Sequence, residues 1–124
     1  VISSAASDVY KRQLQGDNKL VFVENGKLRF SKINISDFSH ENISNEKLVV
    51  SDSESNEEIL KSVLNGSGQN PHKYVVALNT ALVLWTAGIE DDLHVGFNKA
   101  LFSINQGKPW EKFLLLKTYL SSDE

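Results

Sequence analysis

The 124-residue sequence contains no cysteine, and this absence excludes several classes of protein. Without cysteine there is no disulfide bond, no thiolate nucleophile and no thiolate metal site, and the composition fits a reducing compartment. The sequence also lacks an apolar run of the roughly 18 residues that a transmembrane helix needs. We therefore expect neither a disulfide-stabilised protein nor a membrane protein.

Basic charge is scarce as well. The chain carries 13 Lys and Arg against 16 Asp and Glu, which gives a formal net charge of −3. Nucleic-acid binding needs clustered Lys and Arg to neutralise phosphates, and the sequence has no basic stripe of this kind. The charge balance therefore argues against a nucleic-acid partner.

Patterns typical of metal sites and phosphate sites are also missing. The three histidines, His40, His72 and His94, show neither the i, i+4 pairing nor the acidic neighbours of a metal site, so we predict surface or loop positions for them. The glycine-containing stretch 66–68 follows a predicted helix, whereas a phosphate-binding loop leads from a strand into a helix.

Acidic residues form two groups, at 52–58 and at 90–92. Each group precedes a predicted helix, and the helix dipole favours negative charge at a helix N-terminus. Capping therefore explains both groups without a metal ion or a catalytic role.

Residues 3–13 read Ser-Ser-Ala-Ala-Ser-Asp-Val-Tyr-Lys-Arg-Gln. In order, they match the in-frame translation of a transposase adapter used to prepare DNA sequencing libraries. We therefore predict that residues 1–13 are not native and that the native sequence begins near Leu14, in a gene cut upstream. The alternative is a natural amphipathic N-terminus.

The clearest local pattern is the stretch 20–30, Leu-Val-Phe-Val-Glu-Asn-Gly-Lys-Leu-Arg-Phe. Asn25 and Gly26 tolerate positive φ at both central positions of a turn, so we predict a β-hairpin with a two-residue type I′ turn. Glu24 and Lys27 then face each other as an opposite-charge pair beside that turn.

Residues 31–50 are polar and predicted to be irregular, apart from a short extended piece at 48–50. From residue 52 onward the periodicity becomes helical. Ser55 and Glu58 have the spacing of a capping box at the start of a first helix, which Asn65 and Gly66 end. Its predicted apolar face consists of Ile59, Leu60, Val63 and Leu64.

A second helix is predicted over about His72 to Ala87. Pro71 suits its first position and Asn70 its cap, and Gly88 follows its end. Its residues are apolar almost all round, which is typical of a helix buried in the centre of a protein.

A third helix is predicted to begin at Asp91 or Asp92 and to end at Gly107, and Pro109 opens a fourth. Three helices with apolar faces need a partner surface larger than one hairpin, so we predict one side of a bigger domain. The apolar positions of the third helix are Leu93, Phe97, Ala100, Leu101 and Ile104.

Asn79 is the polar residue that needs an explanation, because nearly all of its neighbours in the second helix are apolar. A buried amide without a hydrogen-bond partner costs about 1–3 kcal/mol. We predict a structural role, in which the amide ties the buried helix to a neighbouring loop. The alternative is support for a substrate-binding loop from a missing part of the protein.

Three blocks of the sequence, in this order and spacing, resemble a known family. Asp52-x-x-x-Asn56 precedes a helix, block 76–81 reads Val-Ala-Leu-Asn-Thr-Ala, and block 103–107 reads Ser-Ile-Asn-Gln-Gly. Together with the hairpin they resemble the C-terminal third of the anthranilate phosphoribosyltransferase family. The corresponding family patterns are Gly-Gly-Asp-x-x-x-Asn-Ala, Val-x-Leu-Asn-Ala-Ala and Ser-Ile-Asp-Ser-Gly. Departures at the first block, where the glycine pair is replaced by Val-Ser, weaken any loop-specific role there.

The resemblance implies an α/β fold, with residues 14–124 forming the C-terminal part of the catalytic α/β domain as a hairpin followed by about four helices. It implies a cytoplasmic enzyme that transfers a phosphoribosyl group from phosphoribosyl pyrophosphate to anthranilate in tryptophan biosynthesis, with Mg²⁺. The diphosphate loop, the anthranilate contacts and an Asp-Glu magnesium pair are expected before Leu14. The chain alone is then expected to bind no metal and to be inactive, with Asn79, Asp52 and Asn56 as structural candidates. The whole protein is expected to be a homodimer through an N-terminal helical domain.

Two alternatives stay open from the sequence. One is a pyrimidine nucleoside phosphorylase or a non-catalytic paralogue of the transferase, which upstream sequence would distinguish. The other is a self-standing helical module that binds a protein partner, which requires Leu14 to be a true domain start.

Overall fold

The structure is a computed structural model, and it describes residues 16–39 and 55–122. Three predictions lie outside the described residues: the non-native segment 1–13, the extended piece at 48–50, and the positions of His40 and Asp52. The described elements are a β-hairpin, a short 3-10 turn and four α-helices, in that order.

The hairpin consists of β1 (Asn18–Glu24) and β2 (Lys27–Ile33), which pair antiparallel. Asn25 has φ 51° and Gly26 has φ 74°, so both central turn residues have positive φ, as the type I′ turn requires. Glu24 is paired with Lys27 in the register. The prediction of the hairpin and of its turn is confirmed.

The segment after β2 is ordered, whereas the sequence predicted it to be irregular from residue 31. Strand β2 runs to Ile33, and a 3-10 turn follows over Ile35–Asp37. Asn34 caps this turn: its side chain accepts from the backbone N–H of Ser36, and Asp37 accepts from the backbone N–H of Asn34 at 2.9 Å. The missed signal was an Asn and an Asp three residues apart, the spacing of a capping box.

Helix α1 spans Asn56–Leu64. Ser55 caps it, because its hydroxyl accepts from the backbone N–H of Glu58 at 3.2 Å and the Glu58 carboxylate accepts from the backbone N–H of Ser55 at 2.9 Å. The predicted capping box is confirmed. The predicted apolar face is also confirmed, because Ile59, Leu60, Val63 and Leu64 line one groove, although only Val63 is buried and Leu60 is 55% exposed.

Helix α2 spans Asn70–Thr86, with Gln69 in the cap position and no side-chain capping bond. The prediction of Asn70 as the cap was therefore wrong by one residue. Pro71 lies in the first turn, where its missing N–H costs no hydrogen bond. Helix α2 ends at the predicted position, since Gly88 follows the cap with φ 68°.

Helix α3 spans Leu93–Asn105 and helix α4 spans Lys108–Ser121. Asp92 caps α3, because its carboxylate accepts from the backbone N–H of His94 at 2.7 Å. Gly107, with φ 70°, forms the corner between the two helices. These boundaries confirm the prediction of a third and a fourth helix.

The core lies between α2 and α3 and extends to the hairpin. Phe97 of α3 is nearly inaccessible and lies 5.3 Å from the Phe38 ring and 6.0 Å from the Tyr74 ring, centroid to centroid. Phe22 of β1 meets Trp85 of α2 edge-to-face at 4.7 Å. The other core residues are Leu20, Ile33, Ile35, Val63, Ala77, Leu78, Ala81, Ala100 and Ile104.

Apolar side chains remain exposed on α2, on α4 and on the outer face of the hairpin. Helix α2 is buried on one face only, because Val83 is 66% exposed on the other. The pattern predicted a helix that is buried within a bigger domain, and in this chain one face of α2 stays exposed. Helix α4 has no buried residue. Further exposed apolar side chains are Val21, Val23, Leu28, Phe30, Phe113, Leu115, Leu116 and Leu120.

Candidate functional site

Asn79 lies at the middle of α2 and is half-buried. Its Nδ2 donates a hydrogen bond of 2.8 Å to the carbonyl oxygen of Val75, one turn earlier in the same helix. We predicted a hydrogen bond from Asn79 to a neighbouring loop. In the described residues, the amide instead donates to its own helix. Thr80 makes the same kind of bond to the carbonyl oxygen of Val76, also at 2.8 Å.

Asn56 is the first residue of α1 and is exposed. It lines an open apolar groove of about 280 Å³ between α1 and α2. Asn79 is not among the residues that line this groove, and its amide bonds to Val75, so no contact joins the two described candidates. The other residues of the groove are Ile59, Leu60, Val63, Leu64, His72, Val75 and Val76.

The two histidines in the described residues lie in the first turns of helices. His72 is half-buried in α2 and lines the open groove, which fits its predicted surface position. His94 is exposed, as predicted, and its ring stacks on Phe38 at 4.5 Å between centroids. Its Nε2 lies 3.1 Å from the carbonyl oxygen of Asp37, where a protonated Nε2 donates a hydrogen bond. His94 therefore joins the 3-10 turn to α3.

Three acidic side chains near helix starts, Glu58, Glu90 and Asp92, have structural partners. Hydrogen bonds from the backbone N–H and hydroxyl of Ser55 lower the pKa of Glu58. Asp92 caps α3, and Glu90 forms an ion pair with Lys99. The predicted capping role is confirmed for Glu58 and Asp92, whereas Glu90 forms an ion pair that was not predicted.

The acidic side chains of the described residues also do not gather into a magnesium site. Among residues 16–39 and 55–122, no group of three or more His, Asp or Glu side chains is placed to hold a metal ion. Mg²⁺ takes carboxylate oxygens in near-octahedral geometry. The described residues therefore do not fit the Mg²⁺ that the resemblance implies.

Lys73 and Asn105 form a hydrogen bond that was not predicted from the sequence. Lys73 is a charged side chain in the buried part of α2, and its Nζ donates to Oδ1 of Asn105 at 3.0 Å. The available signal was a lysine at the start of a helix that is otherwise apolar toward the core.

The described part of the chain contains no helix with the length and hydropathy that crossing a bilayer requires. This agrees with the absence of a long apolar run in the sequence.

Comparison with known proteins supports the resemblance. The family model described as "Glycosyl transferase family, a/b domain" matches residues 3–110. An anthranilate phosphoribosyltransferase of Prochlorococcus marinus (strain MIT 9312) is 77% identical over 124 residues, which cover 100% of this chain and 36% of the relative. The protein of the same name from strain AS9601 is 81% identical over 110 residues, covering 89% of this chain and 32% of the relative. The one from Synechococcus sp. (strain CC9311) is 38% identical over 120 residues, covering 97% and 34%.

The chain spans about a third of the length of the curated relatives it matches. The family match begins at residue 3 and so includes the segment that we assign to an adapter. The boundary at Leu14 stays a prediction, which sequencing of the upstream DNA tests. The predicted fold class is confirmed, since an α/β family matches and the structure has a two-stranded hairpin followed by four helices. The chain belongs to the glycosyl transferase family, as a part of its a/b domain.

Proposed function

We propose that the complete protein is an anthranilate phosphoribosyltransferase of tryptophan biosynthesis. It transfers the phosphoribosyl group of phosphoribosyl pyrophosphate to the amine of anthranilate and releases pyrophosphate. The observation that carries the proposal is the identity of 77% and 81% with relatives that bear this name. The order of the three sequence blocks agrees with this proposal.

Within this enzyme, the residues of the present chain have structural roles and do not supply the groups that bind the substrates. A diphosphate substrate needs backbone N–H donors or cations around its oxygens, and a magnesium ion needs carboxylates. Glu58 and Asp92 cap helices, and Glu90 forms an ion pair with Lys99. These structural roles support placing the substrate-binding groups elsewhere in the protein. Mg²⁺, a cytoplasmic location and a homodimer formed through an N-terminal helical domain belong to the same proposal.

The test uses the complete gene. The purified complete protein is mixed with anthranilate, phosphoribosyl pyrophosphate and Mg²⁺, and the loss of anthranilate fluorescence is followed. We expect turnover that requires both substrates, and no turnover by the 124-residue chain under the same conditions. Turnover by the 124-residue chain would overturn the assignment of structural roles to its residues.

A second substrate pair distinguishes the alternatives. Phosphorolysis of a pyrimidine nucleoside by the complete protein, without consumption of anthranilate, would identify a nucleoside phosphorylase. Inactivity of the folded complete protein with both substrate pairs would favour a non-catalytic paralogue. Either result contradicts the proposed transferase.

A further inference from the structure

Lys73 is a charged residue in an unexpected place. It lies in the first turn of α2, where the helix dipole disfavours a positive charge, and its relative exposure is only 9%. Moving an ammonium group out of water is costly unless the group is paired. A contact elsewhere in the fold must therefore favour this position.

The contact that the structure gives is at the end of another helix. Nζ of Lys73 donates to Oδ1 of Asn105 at 3.0 Å, across 32 positions of sequence. Asn105 is the last residue of α3, and a positive charge is favoured at a helix C-terminus. The positive charge of Lys73 is therefore disfavoured by the N-terminus of its own helix, α2, but favoured by the C-terminus of α3, which its Nζ reaches.

The backbone packs closely around the same place. A Cβ atom added to Gly66 would lie 2.8 Å from the carbonyl oxygens of Ile104 and Asn105, and one added to Gly107 would lie 3.0 Å from the carbonyl oxygen of Asn65. The corner between α1 and α2 (residues 65–69) thus contacts the corner between α3 and α4 (residues 105–107) without side chains between them. Such a contact tolerates little displacement.

We propose that the part-buried hydrogen bond from Lys73 to Asn105 holds the α1–α2 corner against the α3–α4 corner. The aliphatic stem of Lys73 fills the space at the start of α2, and its ammonium group fixes the end of α3 through Asn105. This role concerns the internal rigidity of the helical part and does not depend on the proposed transferase activity.

The test is hydrogen exchange measured by mass spectrometry on the complete protein. Lys73→Met keeps the stem and removes the charge, and Lys112→Met, at an exposed position of α4, is the matched control. Removing a hydrogen bond donated by a charged group raises the local opening constant, so we expect amides at 65–69 and 105–107 to exchange roughly tenfold faster in Lys73→Met. The hairpin amides and the control should be unchanged.

Two substitutions of the partner complete the test. Asn105→Leu should reproduce the faster exchange at both corners, and Asn105→Asp should slow it, because the lysine then meets a carboxylate. The double variant Lys73→Met, Asn105→Leu should exchange no faster than either single variant. The proposal is overturned if Lys73→Met behaves like the control, if all regions of the protein exchange faster together, or if Asn105→Leu has no effect.

Discussion

Replacing Asn79 by alanine is the sharpest test of what this amide does. The sequence alone suggested a buried amide whose loss would leave a partner unpaired. In the structure, Nδ2 of Asn79 donates to the carbonyl oxygen of Val75 in its own helix. That carbonyl also accepts the backbone N–H four residues later in a regular helix, so the substitution leaves it paired.

The expected magnitude follows from two opposing contributions. The lost side-chain hydrogen bond contributes about 0.5–1.5 kcal/mol to stability. Alanine is a better helix former than asparagine, by up to about 0.7 kcal/mol, and this offsets part of the loss. We therefore expect Asn79→Ala to change the free energy of unfolding by less than about 1 kcal/mol. Thr80→Ala is the matched control, because Thr80 makes the same type of bond one residue later.

Urea denaturation, followed by the fluorescence of Trp85 in the same helix, measures this change in the 124-residue chain and in the complete protein. A loss above about 2 kcal/mol in the 124-residue chain, without a similar loss for Thr80→Ala, would refute the assignment of the bond. A loss confined to the complete protein would reveal a partner in the missing part. If turnover of the complete protein fell while its unfolding curve stayed unchanged, Asn79 would belong to the active site.

Further expectations concern the core, one corner and one cap. Phe97→Ala should destabilise the chain by about 3–5 kcal/mol in urea denaturation, because this ring is 1% exposed, whereas Phe102→Ala in the same helix, 61% exposed, should have little effect. Gly66→Ala should cost about 1–3 kcal/mol more than Gly88→Ala, since both have positive φ but only Gly66 is crowded by backbone. Hydrogen bonds from Ser55 lower the pKa of Glu58, so the ionised carboxylate stabilises the start of α1 at neutral pH. This stabilisation should be lost as the pH falls below roughly 4.3. Circular dichroism should detect the lower stability of the helix at acidic pH, and Glu58→Gln should abolish this pH dependence.

Features specified by neighbouring residues could be predicted from the sequence. Asn25 and Gly26 determine the turn because few residues accept positive φ at two successive positions. The cap formed by Ser55 and Glu58 depends on a spacing of three residues and on nothing more distant. Asp92 caps α3 through hydrogen bonds to residues two and three positions later, which is also a local feature.

Features that depend on distant residues could not be predicted in this way. The burial of Lys73 depends on Asn105, and no local pattern joins these two positions. The bond of Asn79 was missed for a different reason, because an amide within a helix can turn either to a neighbour or back to its own backbone. Sequence blocks 52–56 and 76–81 indicated the family without indicating the contacts of their residues.

The exposed apolar side chains of α2 are best interpreted together with the fraction of the relatives' length that the chain spans. Helix α2 packs through Ala77, Leu78 and Ala81 against α3, yet Val83 on its other side stays exposed. Patches of this kind are normally covered in a stable protein. The chain spans about a third of the length of its curated relatives, so we expect the remaining two thirds of the complete protein to cover part of this surface. Turns and caps are determined by neighbouring residues, whereas the polarity of each helix face is set by the whole domain. The sequence therefore predicted a buried helix, and in the present chain one face of that helix is exposed.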